Sequence, residues 1–262
     1  MNVDEVALAV LGEADVVLVF PSESSPPSEL DDIEKPVYTV MDGGDVELPL
    51  DLTSYESRVE FGVEGALENE LLEGGEVVVC VDEVFSNGYD TLSAVEATES
   101  MRSGIYDLLM NSKAEPDVVR DVVELAVELG RKGQKGEPIG ALFVVGDAGK
   151  VMEMSSELSY NPFEKSHVHV GDPIVQVMLK EFSRLDGAFV ISDGGKIVSA
   201  YRYLEASSEG LEVPKGLGTR HMAAASITRD TNAVSVVLSE SDNMVRVFRG
   251  GDLVLELDPE EY

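Results

Sequence analysis

Short, continuous apolar runs alternate with amphipathic stretches along the first part of the chain. Residues 16–20 and 77–81 have the length and composition of strands that are buried on both faces. Residues 37–40 predict a further strand, residues 63–72 a helix and residues 92–110 a long helix. Because strands alternate with helices, we predict a small α/β domain with a parallel sheet.

The rest of the chain continues the alternation. Pro116 begins an amphipathic stretch that predicts a helix over residues 116–129, and a second amphipathic helix is predicted over residues 174–185. Strands are predicted at residues 139–145, 188–192, 197–201, 233–238, 245–248 and 253–257. We therefore expect a two-domain α/β protein, with a small N-terminal α/β domain at residues 1–112. The second domain, residues 113–262, is expected to hold a mixed sheet flanked by helices.

Acidic residues dominate the charge: 51 acids oppose 19 bases, and the formal net charge is −32. Such a chain repels the nucleic-acid backbone and anionic membranes, so we expect neither as a partner. An acidic, heavily hydrated surface is also typical of a high-salt cytoplasm. Only Lys35, Arg58 and Arg102 precede residue 111, so any site for an anion is expected in the second domain.

Cys80, the only cysteine, lies inside an apolar run and is predicted to be a buried thiol. One cysteine forms no intramolecular disulfide, which fits a reducing compartment. The chain starts without a basic leader, and no apolar run reaches membrane-spanning length. These features predict a soluble cytoplasmic protein.

Residues 215–221 form the stretch with the most suggestive chemistry. Its two glycines predict an open loop, and Thr219 is predicted to cap a helix whose first turn holds Arg220 and His221. A helix N-terminus attracts anions such as phosphate, and Lys215 and Arg220 add full positive charges there. A plain capped helix after a turn explains the same residues.

Acidic and imidazole side chains offer two further candidate sites. Asp186 places a carboxylate beside Gly187, an arrangement that suits a metal ion and a closely approaching ligand. His167 and His169 lie two apart, so a strand would put both on one face. No third ligand is near them in the sequence, which speaks against a metal pair.

Three motifs in this order resemble the diadenylate cyclase family, whose domain is also known from DNA-integrity scanning proteins. They are Asp186-Gly187-Ala188, then Gly218-Thr219-Arg220-His221, then Ser239-Glu240, and the resemblance covers residues 115 to 257. Met222 stands where the family usually has a second arginine, and Ser241 where many members have a further acid. Archaeal members carry an additional N-terminal α/β domain that resembles the C-terminal domain of pyruvate kinase.

The resemblance implies condensation of two ATP into cyclic di-AMP with release of two pyrophosphates. Phosphoryl transfer depends on positioning and on charge neutralisation, so a divalent metal, Mn²⁺ or Mg²⁺, is expected. One copy of each motif implies one ATP per chain. We therefore expect a homo-oligomer in which two active sites face each other.

Residue roles follow from the same resemblance. Asp186 is expected to bind the metal and to handle the proton of the attacking hydroxyl, and Gly187 to let the nucleotide approach the backbone. Ala188 is expected among the nucleotide-binding residues. Arg220 is expected to pair with phosphate, and His221 to bond phosphate or to orient the loop.

The remaining expectations concern phosphate, metal and base. Gly218 and Thr219 are expected to hold phosphate oxygens, and Ser239 and Glu240 to form a polar, metal-linked pair. Leu142 is expected to line an adenine pocket, together with Met154, although core packing explains these apolar residues as well.

Two other classes of protein fit the sequence. A non-catalytic adenine-nucleotide sensor would keep the fold, and Met222 speaks for it. A structural or interaction protein would owe its acidity to salt adaptation alone.

Overall fold

The computed structural model describes residues 11–21, 33–48, 54–85, 89–102, 104–133, 138–183, 186–205, 207 and 216–260. The chain divides into two compact units, residues 1–107 and 108–262, and each has a sheet of its own. The predicted two-domain α/β fold is confirmed. The predicted domain boundary, after residue 112, lies slightly beyond the division between residues 107 and 108 and stays a prediction.

The first unit is built on a five-stranded sheet in the order β3-β2-β1-β4-β5. Its strands are β1 (Val16–Phe20), β2 (Val37–Met41), β3 (Val46–Glu47), β4 (Val77–Asp82) and β5 (Thr91–Glu96). The predicted strands are confirmed, and β1 is buried along its whole length. Strands β1 to β4 pair in parallel, whereas β5 runs antiparallel to β4 at the edge.

The prediction of one long helix over residues 92–110 is wrong. That stretch forms β5, a short 3-10 helix (Glu99–Met101) and helix α2 (Ile105–Met110). The side chains of β5 alternate in exposure, with the period of two that a strand requires, and its backbone pairs with β4. Pairing at the sheet edge therefore outweighs the helix propensity of its leucine, alanine and glutamate.

Helix α1 (Tyr55–Glu68) begins before the predicted residue 63, because Ser54 caps it and its hydroxyl accepts the N–H of Ser57. Cys80 lies in β4 with no exposed surface, as predicted. Burial, followed by the charge of Asp82, raises the pKa of the Cys80 thiol to about 12.

The second unit is built on a seven-stranded sheet in the order β12-β11-β10-β6-β8-β9-β7. Its strands are β6 (Ala141–Val145), β7 (Ser155–Glu157), β8 (Ala188–Ile191), β9 (Ile197–Leu204), β10 (Val234–Leu238), β11 (Val245–Arg249) and β12 (Asp252–Leu257). Among the described strand pairings of this sheet, β6–β8 alone is parallel, so the predicted mixed sheet is confirmed.

Helices cover both faces of this sheet. They are α3 (Pro116–Lys132), α4 (Ala148–Glu153), α5 (Pro173–Phe182) and α6 (Thr219–Asp230). Val237 of β10 packs in one apolar cluster with Ala224 and Ile227 of α6. The next residue, Leu238, lies on the other face against Gly130 of α3.

The ends of three elements meet at one edge of the second sheet. Leu238, the last residue of β10, pairs with Ala141, the first residue of β6. Helix α6 begins near the same edge, since Arg220 contacts Gly140 there. Among the described helices, none combines the length and the apolar character that crossing a membrane requires.

Candidate functional site

Helix α6 starts with an open, uncapped turn. Its N-cap residue is Gly218, which makes no side-chain cap bond, and Thr219 is its first helical residue. The predicted cap at Thr219 is therefore wrong. The Gly218 carbonyl accepts the N–H groups of His221 and Met222 at 3.1 and 3.2 Å. The N–H groups of the first turn carry partial positive charge and suit an anion. Lys215 lies outside the described residues.

Arg220 joins the three sequence motifs. Its Nη2 lies 3.6 Å from Oδ1 of Asp186, and its Nη1 lies 3.5 Å from Oε2 of Glu240. The side chains of Asp186 and Glu240 are 94% and 63% exposed, and that of Arg220 is 34% exposed. Ion pairs this exposed contribute little to folding. The cluster therefore presents charge to the solvent at the start of a helix.

Gly140 makes room for this arrangement. A β-carbon at Gly140 would lie 2.4 Å from Nη1 of Arg220 and 3.3 Å from Cβ of Glu240. Sequence reasoning missed this residue. The only signal was a glycine immediately before the buried strand β6.

Two cavities flank the Arg220 side chain, and Thr219 and Arg220 line both. The first has a volume of about 400 Å³ and is lined by Gly218, Thr219, Arg220, His221, Val237, Leu238, Ser239, Glu240 and Ser241. The second has a volume of about 360 Å³ and is lined by Leu142, Leu158, Asp186, Gly187, Ala188, Arg202, Tyr203, Leu204, Thr219, Arg220 and Ala223. Each residue proposed from the motifs, and Leu142, lines at least one of them.

A larger cavity of about 490 Å³ lies elsewhere in the second unit. It is lined by Asn111, Ser112, Lys113, Thr231, Asn232, Ala233, Arg249 and Gly250. It lies at the C-terminal end of α6 and contains none of the motif residues. Size alone therefore does not identify the site, and we place it where the motifs converge.

The second flanking cavity has an apolar rim that sequence reasoning missed. Leu158 and Tyr203 line it and are 52% and 57% exposed. Buried Leu142 lines its wall, whereas Met154 packs against the core cluster and is not among the lining residues. An exposed aromatic ring beside an apolar wall suits a flat base.

Gly187 has a structural reason for being glycine. Its φ is +109°, and a β-carbon would lie 2.7 Å from Cα of Tyr201. The neighbouring strand β9 therefore approaches Asp186-Gly187 closely. This contact holds the Asp186 backbone at the sheet edge, so Gly187 has a structural role independent of any nucleotide.

His221 is buried within the first turn of α6. Its Nε2 lies 3.5 Å from Nη1 of Arg246, and its Nδ1 has no hydrogen-bond partner among the described residues. Burial, followed by the charge of Arg246, lowers the pKa of His221 below its ordinary value. The ring is therefore neutral at pH 7 and offers polar nitrogen atoms rather than a charge.

The donors present at the site decide whether a divalent metal fits there. Among the described residues, no three histidine, cysteine or acidic side chains lie close enough together to hold a metal. His167 and His169 therefore belong to no such group. Mg²⁺ is usually held by one or two carboxylates together with substrate phosphates. Asp186 and Glu240 supply two carboxylates around one guanidinium, so the donor set fits a metal that arrives with a nucleotide.

Comparison with known proteins assigns the family. Residues 1–117 match the family model described as "Diadenylate cyclase, N-terminal", and residues 128–253 match "DisA bacterial checkpoint controller nucleotide-binding". A diadenylate cyclase of Haloferax volcanii is 66% identical over 217 residues, 83% of this chain and 81% of that protein. One from Methanocaldococcus jannaschii is 40% identical over 205 residues, 77% of this chain and 66% of that protein.

Among solved structures, an engineered variant of DacA from Staphylococcus aureus is 25% identical, with a TM-score of 0.41. The match covers 56% of this chain and 91% of that one. The family assignment rests on the sequence comparisons, and above all on the Haloferax relative, most of whose length is matched. The motifs expected from the resemblance lie together at one edge of the second unit. The chain belongs to the diadenylate cyclase family.

Proposed function

We propose that this chain condenses two ATP molecules into cyclic di-AMP and two pyrophosphates. One observation carries the proposal: Arg220 lies between the carboxylates of Asp186 and Glu240 at the N-terminus of α6, with a cavity on either side. Cation, carboxylates and open N–H groups are the parts that phosphoryl transfer needs. Family membership supports the same reaction.

The phosphates of ATP bind at the start of α6. Gly218 and Thr219 offer backbone N–H groups and a hydroxyl, and Arg220 offers a planar guanidinium that binds phosphate through two parallel hydrogen bonds. Among the described residues, the ion-pair partners of Arg220 are two exposed carboxylates, at 3.5 and 3.6 Å. It therefore exchanges these partners for a phosphate with little loss of folding energy.

Asp186 handles the proton of the attacking hydroxyl. The 3′-oxygen of one ATP forms a bond to the α-phosphorus of the other, and the bond from that phosphorus to the bridging oxygen of pyrophosphate breaks. The hydroxyl proton leaves toward the carboxylate, and pyrophosphate carries away the electron pair. The reciprocal attack closes the ring. The side chain of Asp186 is 94% exposed and therefore accessible to a substrate on a second copy.

Asp186 and Glu240 are the residues that would hold a divalent metal, Mn²⁺ or Mg²⁺. Such an ion, when bound, neutralises the charge that develops on the phosphates. Ser239 supports Glu240 through the loop, since its N–H donates to the Met244 carbonyl at 3.0 Å.

The base occupies the cavity lined by Leu142, Ala188, Leu158 and Tyr203. Leu142 and Ala188 are buried and form its wall, and the exposed ring of Tyr203 is available for stacking. Neutral His221 is buried within the first turn of α6 and orients that turn through its contact with Arg246. The base therefore contacts mainly apolar and aromatic side chains, and the charged groups of the site are available to the phosphates.

The product contains two adenylates, whereas each chain carries one copy of the site. Two copies must therefore face each other, with the 3′-hydroxyl in one site close to the α-phosphorus in the other. The exposed rim formed by Leu158 and Tyr203 belongs to the surface that would meet the second copy.

Product analysis tests the proposal. The protein is incubated with ATP and Mn²⁺ or Mg²⁺ at high KCl, because a net charge of −32 requires screening. Mass spectrometry is expected to show cyclic di-AMP and pyrophosphate. Asp186→Asn should abolish the product while ATP still binds, and Glu164→Gln, which removes an exposed acid elsewhere, should not. Bound ATP without product would favour a sensor instead.

A further inference from the structure

Arg246 is a charged residue in a strand whose neighbouring residues are buried. It lies in β11 between two valines, and its side chain is only 8% exposed. A buried guanidinium requires hydrogen-bonded partners, because its desolvation is costly. Its partners therefore indicate what the residue holds in place.

The guanidinium contacts three separate elements. Its Nη1 and Nη2 donate to the two carboxylate oxygens of Asp242 at 3.2 and 2.7 Å, and its Nε donates to Glu256 of β12. Its Nη1 also lies 3.5 Å from Nε2 of His221 in α6. Arg246 lines neither cavity of the site, so it reaches the nucleotide only through other residues.

Asp242 belongs to a tight loop that carries Glu240. The N–H of Ser239 donates to the Met244 carbonyl at 3.0 Å, and the N–H of Asn243 donates back to the Ser239 carbonyl at 3.1 Å. Two parallel bonds from Arg246 fix the orientation of the Asp242 carboxylate and with it the whole loop.

We infer that Arg246 is a positioning residue that sets the distance between Arg220 and Glu240. Its guanidinium contacts the residue after Arg220 on one side and the loop of Glu240 on the other. This inference rests on the proposed function, since Arg220 and Glu240 are the groups that bind phosphate and metal there.

Asp242 and Glu256 provide a matched pair of variants. Both carboxylates bind the same guanidinium, and their side chains are 42% and 45% exposed. Only Asp242 lies in the loop of Glu240. Asp242→Asn is therefore expected to lower kcat about 10- to 100-fold with a smaller change in KM. Glu256→Gln is expected to keep kcat within about twofold of the unmodified protein.

Hydrogen exchange gives a readout that does not depend on turnover. Asp242→Asn should speed exchange at the amides of Ser239 and Asn243, and Glu256→Gln should leave both amides protected. Equal loss of kcat and of protection in the two variants would indicate a merely structural role and overturn the inference, as would unchanged protection in Asp242→Asn. If the unmodified protein forms no cyclic di-AMP, the proposed function fails, and amide protection still decides the positioning role.

Discussion

The guanidinium of Arg220 lies where a side chain on Gly140 would lie. A β-carbon at Gly140 would be 2.4 Å from Nη1 of Arg220, far inside contact distance. The space between Asp186 and Glu240 that Arg220 fills therefore depends on one missing methyl group. A side chain at Gly140 would clash first with the end of the flexible Arg220 side chain. A substitution there is therefore expected to disturb the site more than the fold.

Gly140→Ala is expected to reduce cyclic di-AMP formation by about 10- to 100-fold, because Arg220 must leave its position between the two carboxylates. The free energy of unfolding should change by about 1 kcal/mol or less, since the displaced group is partly exposed. Steady-state kinetics and chemical denaturation measure the two quantities.

Gly149→Ala is the control for Gly140→Ala. Gly149 lies in α4, and a β-carbon there would have no heavy atom within 4 Å. Activity should be unchanged, and alanine in a helix stabilises by about 1 kcal/mol relative to glycine. Full activity in Gly140→Ala would show that Arg220 does not need its present position.

Arg220→Ala is expected to weaken ATP binding more than it weakens the fold. A hydrogen bond to a charged group contributes about 1.5–3 kcal/mol, so the affinity should fall about tenfold or more. The exposed pairs with Asp186 and Glu240 contribute about 1 kcal/mol or less to folding. Calorimetry with a non-hydrolysable ATP analogue and thermal unfolding are compared. A large loss of stability with unchanged affinity would assign Arg220 a structural role.

His221 should make the stability of the protein depend on pH. Burial and the charge of Arg246 lower its pKa in the folded state below the value of about 6.5 in the unfolded chain. Between these two values the unfolded chain binds a proton at His221 that the folded chain does not. The free energy of unfolding therefore falls as pH drops below about 6.5, and levels off below the folded pKa.

The measurement compares unfolding at several pH values in the unmodified protein and in His221→Gln. The variant should show a shallower slope, by at most about 1.4 kcal/mol per pH unit. The two proteins differ at residue 221 alone, so the difference between their slopes reports on His221. Arg246 holds the pKa of Asp242 far below its ordinary value, so this carboxylate stays charged throughout the window. Identical slopes in the two proteins would contradict a neutral, buried His221.

Activity should depend on self-association. Each chain has one copy of the site at Arg220, whereas the product joins two adenylates. Specific activity is therefore expected to fall when the protein is diluted below the dissociation constant of the facing pair. Light scattering under the assay conditions measures the mass of the active species. A fully active monomer would contradict the arrangement of facing sites.

Much of the architecture followed from patterns in the sequence. Apolar runs identified β1 and β4, and the motifs identified the edge where Asp186, Arg220 and Glu240 meet. The two strand predictions succeed because burial is encoded locally, in the spacing of apolar residues. The roles expected of the motif residues stay predictions. The predicted helix over residues 92–110 failed because β5 gains its backbone partners from β4, and no local pattern reports that pairing.

The supporting residues of the site could not be predicted for the same reason. Gly140 matters through its distance to Arg220, and Arg246 through contacts with a loop and a helix that are remote along the chain. The N-cap of α6 is Gly218 and not the predicted Thr219. This error is smaller, because both residues lie at the start of the same helix. A charged residue inside an apolar run, such as Arg246, is the one local signal of such a supporting residue.

Cys80 gives the protein a practical property. It has no exposed surface, and burial raises the pKa of its thiol to about 12, so we expect alkylating reagents to leave it unmodified in the native state. Tyr160 is 76% exposed and lines neither cavity of the site, so a cysteine introduced by Tyr160→Cys would then be the only one that a maleimide dye labels. Fluorescence transfer between two such dyes, one on each copy, would report directly when two nucleotide cavities come together, without removal of a native thiol.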